Sequence, residues 1–285
     1  MITRRHFAIG SAALATAGCS PLAFFDTVNP RDAGGAKVAS AAYGPDARQA
    51  LDVYAPTGAR GRAPVAVFFY GGSWTSGSKA EYGFVGQALA AAGFVTVLPD
   101  YRLHPAAPFP AFLEDCAQAL RWAQDNAAAY GGDPGRIVLA GHSAGAYNAA
   151  MLALNERYLT QAGSDRRAIR AWAGLSGPYD FLPLDPGTAQ EVFGAVPDKR
   201  STQPITFAGP GDPPAFLATG DRDTTVRPKN TAALAARLRE AGVPVVERTY
   251  PGLDHADTLL ALSVFFRDKA PVLAEMTAFL RERAG

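Results

Sequence analysis

The strongest constraint on the fold lies near the middle of the chain, in residues 136–150, RIVLAGHSAGAYNAA. Its first half, Ile137–Ala140, is apolar and rich in β-branched residues, which predicts a strand buried on both faces. Gly141–Gly145 follows with the pattern G-x-S-x-G, and a helix-forming segment comes next. This order predicts a turn so sharp that Ser143 takes a strained backbone conformation and raises its hydroxyl above the sheet edge. The alternative is an ordinary turn serine that caps the helix.

The rest of the chain supplies strands and helices in alternation. Apolar, strand-like segments cover residues 64–70, 94–98, 169–175, 215–219 and 243–249. Helix-like segments cover residues 81–92, 111–130, 146–154, 229–241 and the chain from 264 onward, with a break at Pro271. Two short segments at 37–43 and 49–54 predict an antiparallel hairpin. The pattern predicts an α/β fold with a mostly parallel, doubly wound sheet and helices on both faces.

One region does not alternate. Residues 177–214 are rich in proline but carry aromatic side chains, among them Tyr179 and Phe181. A segment this long without regular structure is usually functional or disordered, and this one is too apolar for a disordered linker. We expect a small lid insertion over the carboxyl end of the sheet. The alternative is a long surface loop without a binding role.

The first residues predict an export signal. Residues 1–19 combine Arg4 and Arg5, a short apolar run and small residues before Cys19. The arginine pair resembles a twin-arginine signal, with an ordinary secretory signal as the alternative. Residues 16–19 resemble a lipobox, which implies that Cys19 is lipidated and that the protein is a periplasmic, membrane-anchored bacterial lipoprotein.

An A-x-A cleavage site at residues 15–17 is the alternative, and it would leave Cys19 without lipid. Residues 20–36 are rich in Gly, Pro and Asn and predict a tether. The folded domain is then expected to cover residues 37–285. The formal net charge of +1 gives no electrostatic basis for binding nucleic acid. The membrane is expected to be a partner only through the N-terminal anchor.

A serine nucleophile needs a base and an acid. In hydrolases with this turn, the acid and then the histidine follow the serine in the sequence. His255 is the histidine that satisfies this order. Asp221 and Asp223 both follow the strand at 215–219 and both qualify as the acid.

The oxyanion hole should combine the N–H of Ala144 with N–H groups of the loop at 70–74. In that loop we select Gly71, Gly72 and Ser73, whose alternative role is a simple turn. The residues selected for substrate binding flank these groups or lie in the predicted lid: they are Trp74, His142, Tyr179 and Phe181. No metal or cofactor is required.

Five motifs carry a resemblance to the α/β-hydrolase superfamily: YGGSW, DYRLHPAAPFPA, GHSAGA, GDRDTTV and GLDH. More narrowly, the chain resembles the exported carboxylesterase and feruloyl-esterase-like branch related to hormone-sensitive lipase. The acid loop of that family favours Asp223 over Asp221. Tyr70 departs from the pattern, because relatives usually carry His there.

The resemblance implies hydrolysis of small-molecule carboxylic esters through an acyl-enzyme on Ser143. The small lid with its aromatic side chains predicts short or aromatic acyl groups. Two alternatives come from other classes. The first is an amide hydrolase similar to aryl formamidases, and the second is a catalytically idle binding lipoprotein on the same fold.

Overall fold

The computed structural model describes residues 20–58 and 61–285. The predicted export signal and Cys19 lie outside the described residues. The strands are β1 (Gly35–Ala42), β2 (Ala50–Pro56), β3 (Ala63–Phe69), β4 (Val95–Pro99), β5 (Gly132–His142), β6 (Ile169–Leu175), β7 (Ala215–Gly220) and β8 (Val245–Tyr250). The helices are α1 (Pro21–Val28), α2 (Gly83–Ala91), α3 (Ala111–Asn126), α4 (Ala144–Leu154), α5 (Glu156–Ala162), α6 (Thr188–Phe193), α7 (Lys229–Glu240), α8 (Asp257–Leu260) and α9 (Val272–Ala284).

The strands form one sheet in the order β1-β2-β4-β3-β5-β6-β7-β8. β2 runs antiparallel to both β1 and β4, and every pairing from β4 to β8 is parallel. The predicted hairpin and the predicted mostly parallel sheet are confirmed. Because parallel strands end at the same edge, the loops after β3, β5, β7 and β8 meet on one side of the molecule.

The central strands are buried along their carboxyl halves, as apolar runs with helices on both faces should be. In β3 the last five residues are buried, and in β5 the last six. Each fully buried Val, Leu or Phe side chain contributes about 1.5–3 kcal/mol. The strand ends that precede the loops after β3 and β5 are therefore firmly packed.

The segment predicted as a tether is partly helical. Ser20 caps α1 by accepting a hydrogen bond from the Ala23 N–H at 3.0 Å. The Phe25 ring lies edge-on to Phe84 at 5.4 Å, and the buried Asp26 carboxylate accepts the Phe84 N–H at 2.6 Å. The prediction was wrong here because the caps and apolar spacing of this short helix are weak signals beside the Gly, Pro and Asn content. None of the helices in the described residues is long and apolar enough to cross a membrane.

Residues 177–214 cover the functional edge of the sheet with little regular structure. They contain α6 and two short 3₁₀ turns, Lys199–Thr202 and Pro204–Phe207. Phe193, at the end of α6, is fully buried and lies edge-on to Trp74 at 4.8 Å. Aromatic packing thus joins this lid to the loop after β3.

Candidate active site

The turn after β5 has the strained geometry expected of it. Ser143 has φ 55° and ψ −122°, and its N–H donates to the Leu175 carbonyl at 2.9 Å. A Cβ atom on Gly141 would lie 2.2 Å from the Gly145 oxygen. One on Gly145 would lie 1.9 Å from the Phe69 oxygen. Only glycine fits at these two positions, so close packing imposes the conformation of Ser143.

Ser143, His255 and Asp223 lie within hydrogen-bond distance in series. His255 Nε2 is 2.9 Å from Ser143 Oγ, and its Nδ1 is 2.8 Å from Asp223 Oδ2. The other Asp223 oxygen accepts the N–H groups of Thr225 at 3.0 Å and Val226 at 2.8 Å. Oδ1 of the carboxylate is thus occupied by backbone N–H groups, and Oδ2 is the oxygen that contacts the histidine.

The environment keeps Asp223 ionised. Burial alone raises the pKa of Asp223, but the hydrogen bond and the charge of His255, with the Val226 N–H, outweigh it and hold the pKa below its ordinary value. An ionised Asp223 accepts the Nδ1–H of His255. His255 Nε2 is then free to accept the hydroxyl proton of Ser143.

Asp221, the alternative acid, has a different partner. It is exposed, and its carboxylate accepts the Gly252 N–H at 2.7 Å. It thereby joins the loop after β7 to the loop after β8, which carries His255. The structure therefore places Asp223 against the histidine and Asp221 in a turn.

His142 supports the loop of His255 and does not line the cavity beside Ser143, contrary to the prediction. Its Nε2 is 2.9 Å from the His255 carbonyl oxygen, and the two rings are 4.9 Å apart. Burial, with the charge of His255, lowers the pKa of His142 to about 3. A neutral His142 donates its Nε2–H to that carbonyl and adds no second positive charge beside His255.

The predicted oxyanion donors separate into two groups. The Gly71 N–H donates to the Tyr82 hydroxyl at 3.1 Å, so the prediction that Gly71 belongs to the oxyanion hole was wrong. Gly72, at φ 124°, and Ser73, at φ 53°, turn the following peptides sharply. Among the described residues, the N–H groups of Gly72, Ser73 and Ala144 have no hydrogen-bond acceptor.

Tyr70, the departure from the family pattern, anchors the loop after β3. Its hydroxyl accepts a hydrogen bond from Arg48 Nη2 at 2.6 Å, and its ring stacks on Tyr101 at 4.5 Å. Arg48 also donates to the carbonyls of Tyr101 at 2.9 Å and Gly77 at 2.7 Å. No sequence signal identifies Arg48, because its partners come from distant segments.

A cavity of about 370 Å³ opens beside Ser143. Trp74 and Phe181, both predicted to bind substrate, line it together with Ser73 and Ala144. A larger surface groove near Arg121 contains none of these residues. The volume beside Ser143 is at the lower end of the range for small-molecule sites.

Tyr179 does not line this cavity, so the prediction that it binds substrate was wrong. Its side chain is fully buried, and its ring lies edge-on to Trp172 at 6.2 Å. A Cβ on Gly174 would lie 1.9 Å from the Tyr179 hydroxyl, so the absence of a side chain at Gly174 makes room for the ring. Tyr179 therefore packs the first residues of the lid against the sheet.

The described residues hold no group of three or more His, Cys, Asp or Glu side chains placed to bind a metal ion. Cys116 is buried and forms no disulfide bond within the part of the chain that the structure describes.

Comparison with known proteins identifies one family model and several related sequences. The BD-FAE family model matches residues 51–238. Carboxylesterase NlhH of Mycobacterium tuberculosis is 34% identical over 247 residues, which are 79% of this chain and 74% of that protein. Isoprenylcysteine alpha-carbonyl methylesterase ICME of Arabidopsis thaliana is 30% identical, and the match covers 78% of this chain. The chain spans only 57% of the length of this plant relative.

Solved structures share the fold at lower identity. A truncated carbohydrate esterase from gut microbiota has a TM-score of 0.77 at 22% identity and covers 90% of this chain and 99% of its own. Propionate-bound esterase Est2 of Thermogutta terrifontis has a TM-score of 0.71 at 23% identity and covers 89% of this chain and 96% of its own. The chain therefore belongs to the BD-FAE family, and its fold is that of the α/β-hydrolases related to hormone-sensitive lipase.

Proposed function

We propose that this protein is a serine carboxylesterase that cleaves small carboxylic esters through an acyl-enzyme on Ser143. The observation that carries the proposal is the hydrogen-bonded series from Asp223 through His255 to Ser143, which ends at an open cavity. The family relationship supports the same reaction type.

The geometry suits a two-step reaction. His255 accepts the proton of Ser143 as its oxygen attacks the ester carbonyl, and Asp223 stabilises the imidazolium that forms. The N–H groups of Gly72, Ser73 and Ala144 stabilise the negative oxygen of the tetrahedral intermediate. His255 then gives its proton to the leaving alcohol. Water, activated by the same histidine, releases the acid.

The acyl group is proposed to be short or aromatic. The cavity is small, and the flat side chains of Trp74 and Phe181 stand on its wall. Each buried methylene adds about 0.8 kcal/mol only while the cavity has room. We expect kcat/KM to peak at about two to six acyl carbons. An optimum at twelve or more carbons, with activation at an oil–water interface, would instead indicate a lipase.

The protein is also proposed to be exported and to be anchored through a lipid on Cys19. Mass spectrometry of the mature N-terminus tests this directly. A lipid-modified peptide beginning at Cys19 is expected, whereas a peptide beginning at Gly18 would indicate A-x-A cleavage and a form without the anchor.

The esterase proposal is tested with a fluorophosphonate probe and a substrate panel. The probe should label Ser143 alone, and Ser143→Ala should reduce turnover by about 10³-fold or more while the fold survives. The panel contains p-nitrophenyl esters, feruloyl esters, acetylated sugars and formyl amides. Preference for formyl amides would favour the amide-hydrolase alternative, and no labelling or turnover would favour an idle binding protein.

A further inference from the structure

The cavity beside Ser143 has two walls of different chemistry. The lid supplies an apolar wall, with Phe181, Leu182 and Pro183. The loop after β7 and the start of α7 supply a polar wall, whose lining residues are Thr224, Thr225, Val226, Arg227, Lys229 and Asn230. The first wall is formed by apolar residues, and the second includes two residues with cationic side chains, Arg227 and Lys229.

The two cations of the polar wall, Arg227 and Lys229, have no acidic partner in the described part of the chain. Among the described residues, no carboxylate oxygen lies within 4.0 Å of the charged nitrogens of Arg227 or Lys229, and both side chains are exposed. Arg102, by contrast, is 2.7 Å from Asp115. Asp185 lines the cavity from the lid and has no ion-pair partner within the described residues either. Two cations against one anion leave the cavity lining with an excess positive charge.

The backbone that carries these cations is held in place relative to the reactive groups. The N–H of Val226, the residue before Arg227, donates to Asp223 at 2.8 Å. The buried Asn230 side chain accepts the N–H groups of Tyr179 and Asp180, each at 3.0 Å. The polar wall is thereby joined to the catalytic acid on one side and to the lid on the other.

We propose that the preferred substrates are small esters that carry a carboxylate, which lies against Arg227 and Lys229 while the apolar part of the ester lies against the lid. This inference rests on the proposed esterase function. The two cations attract the carboxylate through charge-assisted hydrogen bonds. Because both side chains are exposed, each contributes the modest energy of a solvent-accessible ion pair.

Two pairs of substrates of similar shape test the proposal. Monoethyl glutarate and ethyl pentanoate differ by a carboxylate on the acyl side, and butyryloxyacetate and propyl butyrate differ by one on the alcohol side. In at least one pair, kcat/KM should be about 3- to 10-fold higher for the anionic member. That preference should shrink in high salt, because salt screens exposed charges.

Three sets of variants test whether Arg227 and Lys229 cause the preference for the anionic ester. Arg227→Gln combined with Lys229→Gln should reduce the preference to about 1. Asp185→Asn should increase it, because an opposing negative charge is removed. Arg237→Gln, which removes an exposed cation of α7 that lies outside the cavity lining and 3.8 Å from Glu240, is the control and should leave the preference unchanged.

The two levels of proposal fail differently. If no ester is cleaved and Ser143 is not labelled, the esterase function itself is wrong. If neutral esters are cleaved but neither anionic member is preferred, or if the double variant keeps the preference, the carboxylate site is wrong and the esterase function stands.

Discussion

The turn at Ser143 and the lid at residues 177–214 face the same cavity, but they are held in opposite ways. The turn depends on backbone packing, since side-chain atoms at Gly141 or Gly145 would overlap neighbouring carbonyls. The lid is held by side-chain contacts with the rest of the domain, such as the hydrogen bond from the Tyr179 N–H to Asn230 at 3.0 Å and the edge-on packing of Phe193 against Trp74.

This difference separates the two tasks of the site. Reaction chemistry needs atoms fixed to within tenths of an ångström, and a buried turn without spare volume provides that. Substrate selection tolerates adjustment, and a segment held through side chains can change its residues or shape without disturbing the reacting groups. Changes in the turn should therefore affect kcat and stability, whereas changes in the lid should affect KM.

The most severe test of the turn is Gly145→Ala. The added Cβ would lie 1.9 Å from the Phe69 oxygen, a backbone atom that cannot move aside. We expect a loss of about 4 kcal/mol or more in the free energy of unfolding, with ester hydrolysis below detection. Gly135→Ala is the control in β5, since its Cβ would lie 3.4 Å from the nearest atom. Denaturant unfolding measures both, and a stable, active Gly145→Ala protein would contradict the packing argument.

The second test separates the two carboxylates of the acid loop. Asp223→Asn should lower kcat by about 10²- to 10⁴-fold, because an amide cannot hold the required histidine tautomer. Asp221→Asn alters a turn contact to the Gly252 N–H and should have a mild effect. Steady-state kinetics with p-nitrophenyl butyrate compares them. The reverse ranking would place the acid at Asp221.

The lid is tested with Asn230→Ala. This change leaves the N–H groups of Tyr179 and Asp180 without their acceptor, which should cost about 1–3 kcal/mol. A loosened lid should raise KM several-fold and leave kcat for a small ester nearly unchanged. Asn126→Ala, which removes a contact to the Trp122 carbonyl in α3, is the control. A fall in kcat with unchanged KM would show that the lid shares the task of the turn.

The effect that is smallest at neutral pH concerns the buried histidine of the turn. The pKa of His142 is about 3 in the folded protein against an ordinary value of 6.5, so between these values the unfolded chain binds a proton that the folded protein does not. Proton binding by His142 therefore leaves the free energy of unfolding unchanged above pH 6.5. It lowers that free energy as pH falls toward 3, by up to about 1.4 kcal/mol per pH unit. The lowered pKa of Asp223 also reduces the free energy of unfolding as the pH falls below about 3.8.

His142→Gln removes this titration. Its free energy of unfolding should therefore fall less steeply than that of the unchanged protein between pH 6.5 and pH 4. Urea unfolding at a series of pH values measures the slope, and identical slopes would mean that His142 is not buried in the neutral form.

The same contrast explains what could be predicted from the sequence. The strand, turn and helix around Ser143 are specified by adjacent residues, and the order of the chain selects His255. The mostly parallel direction of the strands follows from the alternation of strands and helices. These features depend on the residues within one motif and on the order of the motifs along the chain, and both can be read directly from a sequence.

The features that were missed depend on contacts between distant segments. Asn230 meets Tyr179 across 51 positions, and Arg48 meets Tyr70 across 22. Gly71 was selected as a donor, but its N–H is occupied by Tyr82, 11 positions away. No periodicity or motif marks such pairs, because each arises only once the sheet has assembled.

The helix at the start of the described chain limits how freely a lipid anchor on Cys19 would let the domain move. Ser20 caps α1, and Asp26 and Phe25 fasten that helix to the domain. A lipid on Cys19 would thus be separated from a docked element by Ser20 alone. With so short a connection, a lipid-anchored domain would have little freedom to move relative to the bilayer. The distance and the orientation of its cavity relative to the lipid surface would then vary little.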